Sequence, residues 1–371
     1  MIRRRMAVST AAALSLLGIG PARGVTAPGT APMATPLAAT PLVATIPAFP
    51  APDISFRLRD GFMLPARLWR PPAGVAQRGV ILALHGFTDS RDAWEYPAPG
   101  FAAAGYLVIA PDQRGFGATA DRGVWAGQAV MVDDAAELAS RLRAENPSQR
   151  LIVMGESMGG AIAMCLAARA PATADAYVLF SPAVWGRAQM ATGVRVALWA
   201  AYGVAPGWRL TGQQVPQDIA ASDNIEALLR LAHDPLTLRS ATVAMVHGLV
   251  DLMDTAQQAA SRLPPNTLML NGRRDQVIPP PATAAAWAKL PPGVRRGLYL
   301  GGYHLLLRDT GRALVQNDVL AWLDDPQAWL PSGADINAAA WQADQAWSAD
   351  VPAILPGQML DGTGERRVWP F

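Results

Sequence analysis

The chain has 371 residues, of which 51% are hydrophobic and 16% charged, and it carries a formal net charge of +2 at pH 7. This composition is typical of a globular protein with a large core, and it gives no sign of nucleic-acid binding. The single cysteine, Cys165, excludes an intramolecular disulfide and any metal site built from several cysteines.

The amino terminus has the pattern of a targeting segment. Arg3, Arg4 and Arg5 precede an apolar run that, at about fifteen residues, is short for a membrane span. We interpret residues 1–24 as a secretory signal peptide or, alternatively, as an uncleaved amino-terminal anchor. Either interpretation predicts an extracytoplasmic location, periplasmic or secreted. Residues 25–52, rich in Ala, Pro and Thr, are expected to form an extended spacer.

From residue 53 onward, short apolar runs alternate with stretches of helical spacing. Two strands joined by a turn at Asp60-Gly61 come first. The later strands are mostly apolar, as is typical of strands buried on both faces, and are expected at 80–84, 106–110, 150–154, 176–180, 267–270 and 297–300. The alternation predicts an α/β fold with a mostly parallel sheet, helices on both faces and functional residues at the carboxyl ends of strands. We place this domain at residues 53–324 and a Trp-rich carboxyl-terminal extension at 325–371.

The alternation stops between the strands expected at 176–180 and 267–270. Residues 185–262 show helical spacing in three patches and contain no convincing buried strand. An all-helical insertion at the ligand-binding end of the sheet has the position of a cap. Packing of the cap on the body is the more ordinary role of each of its tryptophans. The apolar candidates for substrate contact in this region are Trp185, Val194, Leu198, Trp199 and Trp208.

The segment Gly155-Glu-Ser157-Met-Gly159 follows the strand expected at 150–154 and precedes a helical run of small residues. A sharp turn from a strand into a helix strains the backbone of the serine at its apex, and side chains at the two glycine positions would collide with the neighbouring strand and helix. Such a turn holds the serine hydroxyl out of the sheet, at the positive end of the helix. Ser157 is therefore the candidate nucleophile, and an ordinary glycine-rich turn is the alternative.

A serine hydroxyl is a poor nucleophile at neutral pH unless a base accepts its proton and an acid holds that base. His304 and Asp275 each follow an expected strand of the sheet. Because the carboxyl ends of parallel strands meet at one edge, we expect both side chains to lie near Ser157. A salt bridge with Arg273 or Arg274 is the alternative role of Asp275.

The other three of the four histidines are weaker candidates for the base. His85 lies in a glycine turn, where we expect it to orient its own loop. His233 and His247 lie in the insertion. Two rival acids, Asp251 and Asp254, also lie there rather than at the end of a sheet strand.

The tetrahedral intermediate of acyl transfer carries an oxyanion, which needs two hydrogen-bond donors aimed at it in advance. Met158 is the first residue of the helix that follows Ser157, so its backbone N–H is one candidate. The backbone N–H of Phe87, directly after His85-Gly86, is the other. Both donors belong to the main chain and therefore constrain their own side chains only weakly.

These segments together resemble the monoacylglycerol lipase and lysophospholipase group of α/β-hydrolases, the serine aminopeptidase S33 type. The resemblance spans residues 53–324 and implies the α/β-hydrolase fold, a helical cap between two sheet strands and the triad order serine, aspartate, histidine. In this group the loop that holds Asp112 and Arg114 is mostly structural. The segments that carry the resemblance are His85-Gly-Phe87, Asp112-Gln-Arg114-Gly115-Phe-Gly117, Gly155-Glu-Ser157-Met-Gly159-Gly160, Gly272-Arg-Arg-Asp275 and Gly302-Tyr-His304.

The resemblance implies a serine hydrolase that cleaves carboxylic esters through an acyl-enzyme and needs neither a metal nor an organic cofactor. The expected partner is a small-molecule ester or lipid, association with a membrane surface is a further expectation, and no protein or nucleic-acid partner is implied. A serine aminopeptidase is the alternative, because Asp218, Asp223 and Glu226 could pair with the ammonium group of a substrate. A thioesterase or polyester esterase would use the same triad. A non-catalytic binding protein on this fold is the least favoured hypothesis.

Overall fold

The computed structural model describes residues 48–211 and 219–343. The expected signal peptide or anchor (1–24), most of the expected spacer and the last part of the expected extension lie outside these residues. Within the described ranges, no helix is both long enough and apolar enough to cross a membrane.

An eight-stranded sheet forms the centre of the described part of the chain. Its strands are β1 (Ile54–Arg57), β2 (Met63–Trp69), β3 (Gly79–Leu84), β4 (Tyr106–Pro111), β5 (Arg150–Glu156), β6 (Ala176–Phe180), β9 (Thr267–Gly272) and β10 (Arg295–Tyr299), and a separate pair is formed by β7 (Arg209–Thr211) and β8 (Ser240–Thr242). The sheet order is β1-β2-β4-β3-β5-β6-β9-β10. The pairs β1–β2 and β2–β4 are antiparallel and the others parallel. The predicted α/β fold with a mostly parallel sheet is confirmed.

Helices cover both faces of this sheet because its central strands are apolar on both sides. In β3, Val80 and Leu82 belong to one buried cluster, while Ile81 and Ala83 belong to a second cluster on the opposite face. The first cluster contains residues of α2, α3, α6 and α7, and the second those of α1 and α8. The helices are α1 (Ala98–Ala103), α2 (Gln128–Glu145), α3 (Met158–Arg169), α4 (Thr192–Val204), α5 (Ile225–His233), α6 (Val243–Ala259), α7 (Pro280–Trp287), α8 (Arg312–Asp324) and α9 (Ala334–Ala343).

The segment between β6 and β9, here called the insertion, interrupts the alternation and holds α4, α5 and α6. The prediction that the insertion is all helical is wrong. Strands β7 and β8 pair antiparallel within it, with Leu210 opposite Ala241. A strand of three residues is too short to show an alternating apolar pattern, so periodicity does not reveal this pair. The insertion leaves and re-enters the sheet at the carboxyl end of β6 and the amino end of β9.

The first part of the expected carboxyl-terminal extension belongs to the core. On α9, Trp341 is buried and packs edge-on against Trp287 with their ring centroids 4.9 Å apart. Arg295 at the start of β10 pairs with the buried Asp335 at 3.1 Å. Trp329 is exposed and makes no such contribution. The hydrophobic core therefore continues past residue 324, and the two remaining tryptophans of the extension, at 347 and 369, lie outside the described residues.

Candidate active site

Ser157 lies at the apex of a strained turn between β5 and α3. Its φ is +53° and its ψ is −113°, a left-handed conformation that costs a non-glycine residue about 1–3 kcal/mol. Hydrogen bonds along the adjoining chain hold it there: the Ser157 N–H donates to the Phe180 carbonyl at 2.9 Å, and the Ser157 carbonyl accepts from the Ala183 N–H at 2.9 Å. The strain is therefore stabilised by the end of β6, as a nucleophile turn requires.

The two glycines that flank the serine have no room for a side chain. A Cβ on Gly155 would meet the backbone of Gly159 at the start of α3. A Cβ on Gly159 would meet the backbone carbonyl of Leu84 at the end of β3. These are the collisions that the sequence pattern predicts, and they explain why strand, turn and helix pack this closely.

Asp275 and His304, which follow β9 and β10, meet at the carboxyl edge of the sheet. The His304 Nδ1 lies 2.8 Å from the Asp275 Oδ2, and both side chains are almost fully buried. The other carboxylate oxygen, Oδ1, accepts from the backbone N–H groups of Val277 and Ile278 at 2.8 and 2.9 Å. A neutral imidazole that donates from Nδ1 to the carboxylate presents an unprotonated Nε2, which is the form that a general base requires.

The electrostatic surroundings favour protonation of His304. Burial alone would lower the pKa of this imidazole, but the nearby carboxylates of Asp275, Glu156 and Asp309 outweigh that effect, and the pKa of His304 lies above its ordinary value. An imidazole that accepts a proton from a serine gains from the same arrangement, because the imidazolium that results is stabilised by these carboxylates.

The loop after β3 adjoins the serine. A Cβ placed on Gly86 would lie 3.4 Å from the Ser157 Cβ and 3.9 Å from its Oγ. The backbone of the next residue, Phe87, is therefore close to Ser157, and its N–H donates to no other described residue. Met158 is buried as the first residue of α3. Both backbone groups are placed where the sequence predicts oxyanion donors, and that role stays a prediction.

His85 ties the loop after β3 to the loop after β4. Its Nδ1 lies 2.8 Å from the Gly86 carbonyl, and its Nε2 accepts from the Gln113 N–H at 3.0 Å. The Gln113 side chain donates back to the His85 carbonyl at 2.8 Å. Both ring nitrogens are occupied and burial lowers the pKa of this imidazole, so His85 is a neutral residue that orients loops.

The rival acids and the charged residues of the loop after β4 have structural partners of their own. Asp251 and Asp254 both pair with Arg187, at 2.6 and 2.5 Å, inside the insertion. The buried Asp112 pairs with Arg91, and Arg114 bonds to Asp134 at 2.8 Å. None of these contacts involves His304 or Ser157. The ion pairs therefore hold the scaffold around the site.

The five predicted substrate-contact residues differ in burial, and their contact with substrate stays a prediction. Val194 and Leu198 are buried in the core, Trp185 is half-buried, and Trp199 and Trp208 are exposed. A cleft of about 620 Å³ lies between the loop that precedes α2 and the insertion. It does not include the triad residues, and its lining contains Val124, Trp125, Tyr202, Pro206, His247 and Asp251.

Trp125 connects this cleft to the loop after β3. Its ring lies 6.5 Å from that of Phe87, measured between centroids, and Gly248 on α6 leaves the space that the indole occupies. Periodicity in the sequence does not mark Trp125, because it lies in an irregular loop.

Within the described ranges, no cluster of three His, Cys, Asp or Glu side chains could hold a metal ion.

Comparison with known proteins agrees with this geometry. The profile of the family described as serine aminopeptidase, S33 matches residues 75–311, which is more than half of the chain. The chain belongs to this family. The matched range begins just before β3 and ends just before α8, and so contains the turn at Ser157, the pair Asp275 and His304, and the whole insertion.

Relatives of this S33-family chain include lipases from bacteria and mammals. A monoacylglycerol lipase from Mycolicibacterium smegmatis is 29% identical over 273 residues, which cover 72% of this chain and 95% of the relative. A monoglyceride lipase from Mus musculus is 25% identical and aligns over 71% of this chain and 88% of its own length. The solved structure of a soluble variant of monoglyceride lipase from Saccharomyces cerevisiae, 19% identical, has a TM-score of 0.64 and covers 74% of this chain and 96% of its own. It shows the same fold.

Proposed function

We propose that this protein hydrolyses monoacylglycerol-like esters through an acyl-enzyme formed on Ser157. The chain is a carboxylic ester hydrolase of the serine type: its family, its monoacylglycerol lipase relatives and its lipase fold agree on that class. The observation that carries the mechanism is the 2.8 Å contact between His304 and Asp275 at the carboxyl edge of the sheet that also presents the strained Ser157.

The mechanism follows from the roles that these groups can take. His304 Nε2 accepts the proton of Ser157 as Oγ bonds to the ester carbonyl carbon, and Asp275 stabilises the imidazolium. The N–H groups of Phe87 and Met158 bind the oxyanion. The intermediate collapses, the carbon–oxygen bond to the alcohol breaks, and His304 returns the proton to the leaving alcohol. Water then releases the acid by the same sequence, which regenerates the serine.

The proposed substrate is an ester of one acyl chain with a small alcohol. The names of the relatives support this class. The cleft of about 620 Å³ is large enough for much of an acyl chain, and Trp125 in its lining has its ring 6.5 Å from that of Phe87, beside the proposed nucleophile. The insertion, which borders this cleft through Tyr202 and His247, acts in this proposal as the cap of the site.

We further propose an extracytoplasmic enzyme that works at a lipid surface. The arginines and apolar run of residues 1–24 support export by a signal peptide or retention by an anchor. On α4, Val196, Trp199 and Val204 are exposed, and exposed apolar and aromatic side chains on a helix are suited to the boundary between lipid and water. Fractionation of cells that express the full chain tests the location.

A serine aminopeptidase would use the same triad but needs acids that bind an ammonium group. Of the three acids that the sequence offers, Asp223 accepts hydrogen bonds from the Thr310 N–H and hydroxyl at 2.8 and 2.5 Å, and Glu226 is exposed on α5. The third, Asp218, lies outside the described residues. Asp223 and Glu226, the two acids with described positions, therefore do not form a site for the ammonium group of an aminopeptidase substrate.

A comparison of four substrates tests the proposal. We expect the wild type to hydrolyse a p-nitrophenyl fatty-acyl ester and a monoacylglycerol, and to leave an aminoacyl nitroanilide intact. A thioester of the same acyl chain measures how far the site also accepts a thiol leaving group. Preference for the nitroanilide would assign the aminopeptidase activity instead, and Ser157→Ala, which removes the nucleophile, is the control for each substrate.

A further inference from the structure

Arg308 lies four residues after His304, and its side chain is buried between two carboxylates. Its Nη2 donates to the Asp89 Oδ2 and lies 3.3 Å from the Glu156 Oε2. The three side chains are 4%, 8% and 3% exposed for Arg308, Asp89 and Glu156. A guanidinium is charged at every relevant pH and presents several donors in a rigid fork, which suits it to join two carboxylates in a dry site.

The two carboxylates belong to two other loops of the active site. Asp89 comes two residues after Phe87 in the loop after β3, and Glu156 directly precedes Ser157 at the end of β5. Arg308 itself belongs to the loop after β10. One guanidinium therefore connects the loop of the candidate oxyanion donor, the nucleophile turn and the loop of the candidate base.

Further hydrogen bonds fix both ends of this connection. The Asp89 Oδ1 accepts from the Ser90 N–H at 2.8 Å. The Arg308 N–H donates to the Leu305 carbonyl at 2.8 Å, and the Arg308 carbonyl accepts from the Asn224 side-chain amide at 2.8 Å. These bonds fix the backbone of Arg308 and the carboxylate of Asp89. A movement of one loop would therefore be transmitted to the other loops through the ion pair.

We propose that Arg308 is a positioning residue for the ester hydrolysis proposed above. Through Asp89 and Glu156 it fixes the positions of the Phe87 loop and the Ser157 turn relative to the His304 loop. Catalysis depends on these relative positions, since a misplacement of about 1 Å can cost roughly 100-fold in rate. Arg308 contacts no reacting atom in this role, so its effect on the rate passes through the groups it holds.

The charges provide a readout that a purely structural role would not move. Burial raises the pKa of the Glu156 carboxyl, and Arg308 opposes that rise. The carboxylates that raise the pKa of His304 are Asp275 on the loop after β9, Glu156 on β5 and Asp309 on its own loop. Glu156→Gln removes one of these carboxylates while Arg308 stays charged. The pKa of His304 then falls, and the acid limb of the activity profile moves to lower pH.

Steady-state kinetics on a soluble ester, p-nitrophenyl butyrate, test the proposal together with thermal unfolding. We expect Arg308→Met to lower kcat by about 100-fold with little change in KM. Arg308→Lys keeps the charge but loses the fork, so we expect an intermediate kcat. Glu156→Gln should move the acid limb to lower pH.

Arg295 supplies a matched control, because it pairs with the buried Asp335 at the opposite, amino end of β10. Arg295→Met should lower the Tm and leave kcat and the pH profile unchanged. A folded Arg308→Met with wild-type kcat, or an Arg295→Met that loses as much kcat, would overturn the positioning role. If Arg308→Met fails to fold, the same kinetics are measured on Arg308→Lys and Glu156→Gln. The proposal is overturned if both variants keep the wild-type kcat and the wild-type pH profile. Ester hydrolysis by Ser157→Ala would instead contradict the proposed function itself, whatever the role of Arg308.

Discussion

Two parts of the insertion differ in how they contact the rest of the molecule. Residues 220–224, here called the anchored segment, contact the two loops that hold Asp275 and His304 through polar groups. The Ala220 N–H donates to the Gln276 side chain, and the Leu305 N–H donates to the Ala221 carbonyl, both at 2.8 Å. The Ser222 hydroxyl donates to the Asp309 Oδ1 at 2.6 Å, while the other oxygen of Asp309 accepts from the Tyr303 N–H at 2.7 Å.

Helix α4 has the opposite character. It buries Val194 and Leu198 against the core and leaves Trp199 and Val204 73% and 86% exposed. Directional hydrogen bonds to the catalytic loops fix a geometry, whereas exposed apolar side chains provide a surface. One insertion can therefore serve two purposes: changes in the anchored segment should alter kcat, and changes on α4 should alter KM for lipid substrates.

An effect of the anchored segment on kcat requires that the loops it contacts carry catalytic residues. Asp275→Asn tests this with the largest expected effect, because the amide cannot hold His304 in the tautomer that leaves Nε2 free. We expect kcat to fall about 10⁴-fold with little loss of stability. Ester hydrolysis and thermal unfolding of the same preparation measure the two quantities, and near-normal kcat in the folded variant would show that these loops do not catalyse.

Ser222→Ala tests the anchored segment itself. The substitution removes the hydroxyl that donates to Asp309, and so loosens the residue that holds the backbone next to His304. We expect kcat to fall about tenfold, the equivalent of ~1.4 kcal/mol, with KM for short soluble esters unchanged. Ser140→Ala, an exposed serine on α2 that bonds to its own helix, is the control. Equal losses in the two variants would contradict a specific link to the catalytic loop.

Trp199→Ser tests the surface on α4. Removal of an exposed indole should leave hydrolysis of a short soluble ester unchanged and raise the KM for monoacylglycerol presented in micelles or vesicles by about fivefold, or ~1 kcal/mol of lost apolar contact. The exposed Trp329, which lies outside the insertion, provides the matched control as Trp329→Ser. If the two variants behave alike on vesicles, α4 is not the lipid-facing surface.

Asp309→Asn gives the smallest expected effect, a shift in the pH profile. His304 must be neutral to act as a base, so activity should fall as the pH drops through its pKa, which lies above its ordinary value of 6.5. Burial raises the pKa of the Asp309 carboxyl to about 7, and ionised Asp309 helps to raise the pKa of His304. The variant should therefore move the acid limb to lower pH. An unmoved limb, measured as kcat/KM against pH, contradicts this coupling.

Asp309 also has a consequence for stability. Its pKa in the folded protein, about 7, is raised above the ordinary value of 3.8, so the folded state binds this proton more tightly than the unfolded state does. The contribution of this group to the free energy of unfolding is therefore fully present below pH 3.8 and is lost as the pH rises to about 7. Asp309→Asn should flatten the fall in Tm across that window.

Local sequence patterns predict much of the fold and of the site. The central strands are mostly apolar runs, and the turn at Ser157 has a spacing of glycines that follows from steric collisions between neighbouring elements. Asp275 and His304 could be placed because each lies in the loop after a strand, and parallel strands end at one edge. The family resemblance drawn from these segments is confirmed by the profile that matches residues 75–311.

Long-range contacts between irregular segments could not be predicted in this way. Arg308 reaches carboxylates 219 and 152 residues away in the chain, and no spacing rule relates such positions. Helical periodicity gives Val194 and Trp199 the same apolar character, yet one is buried and the other exposed. Which apolar residues of a two-sided helix face the core is decided by its packing partners, and these come from distant parts of the chain.

In the proposed mechanism Ser157 is the nucleophile of an ester hydrolase whose base is His304. Labelling by a fluorophosphonate probe tests this assignment most directly, because the probe reacts with an activated serine and needs no assumption about the substrate. We expect the wild type to be labelled with a stoichiometry near one and Ser157→Ala to be folded and unlabelled, with His304→Ala labelled far more slowly. Undiminished labelling of Ser157→Ala would contradict the account, as would a folded wild type that hydrolyses esters but is not labelled.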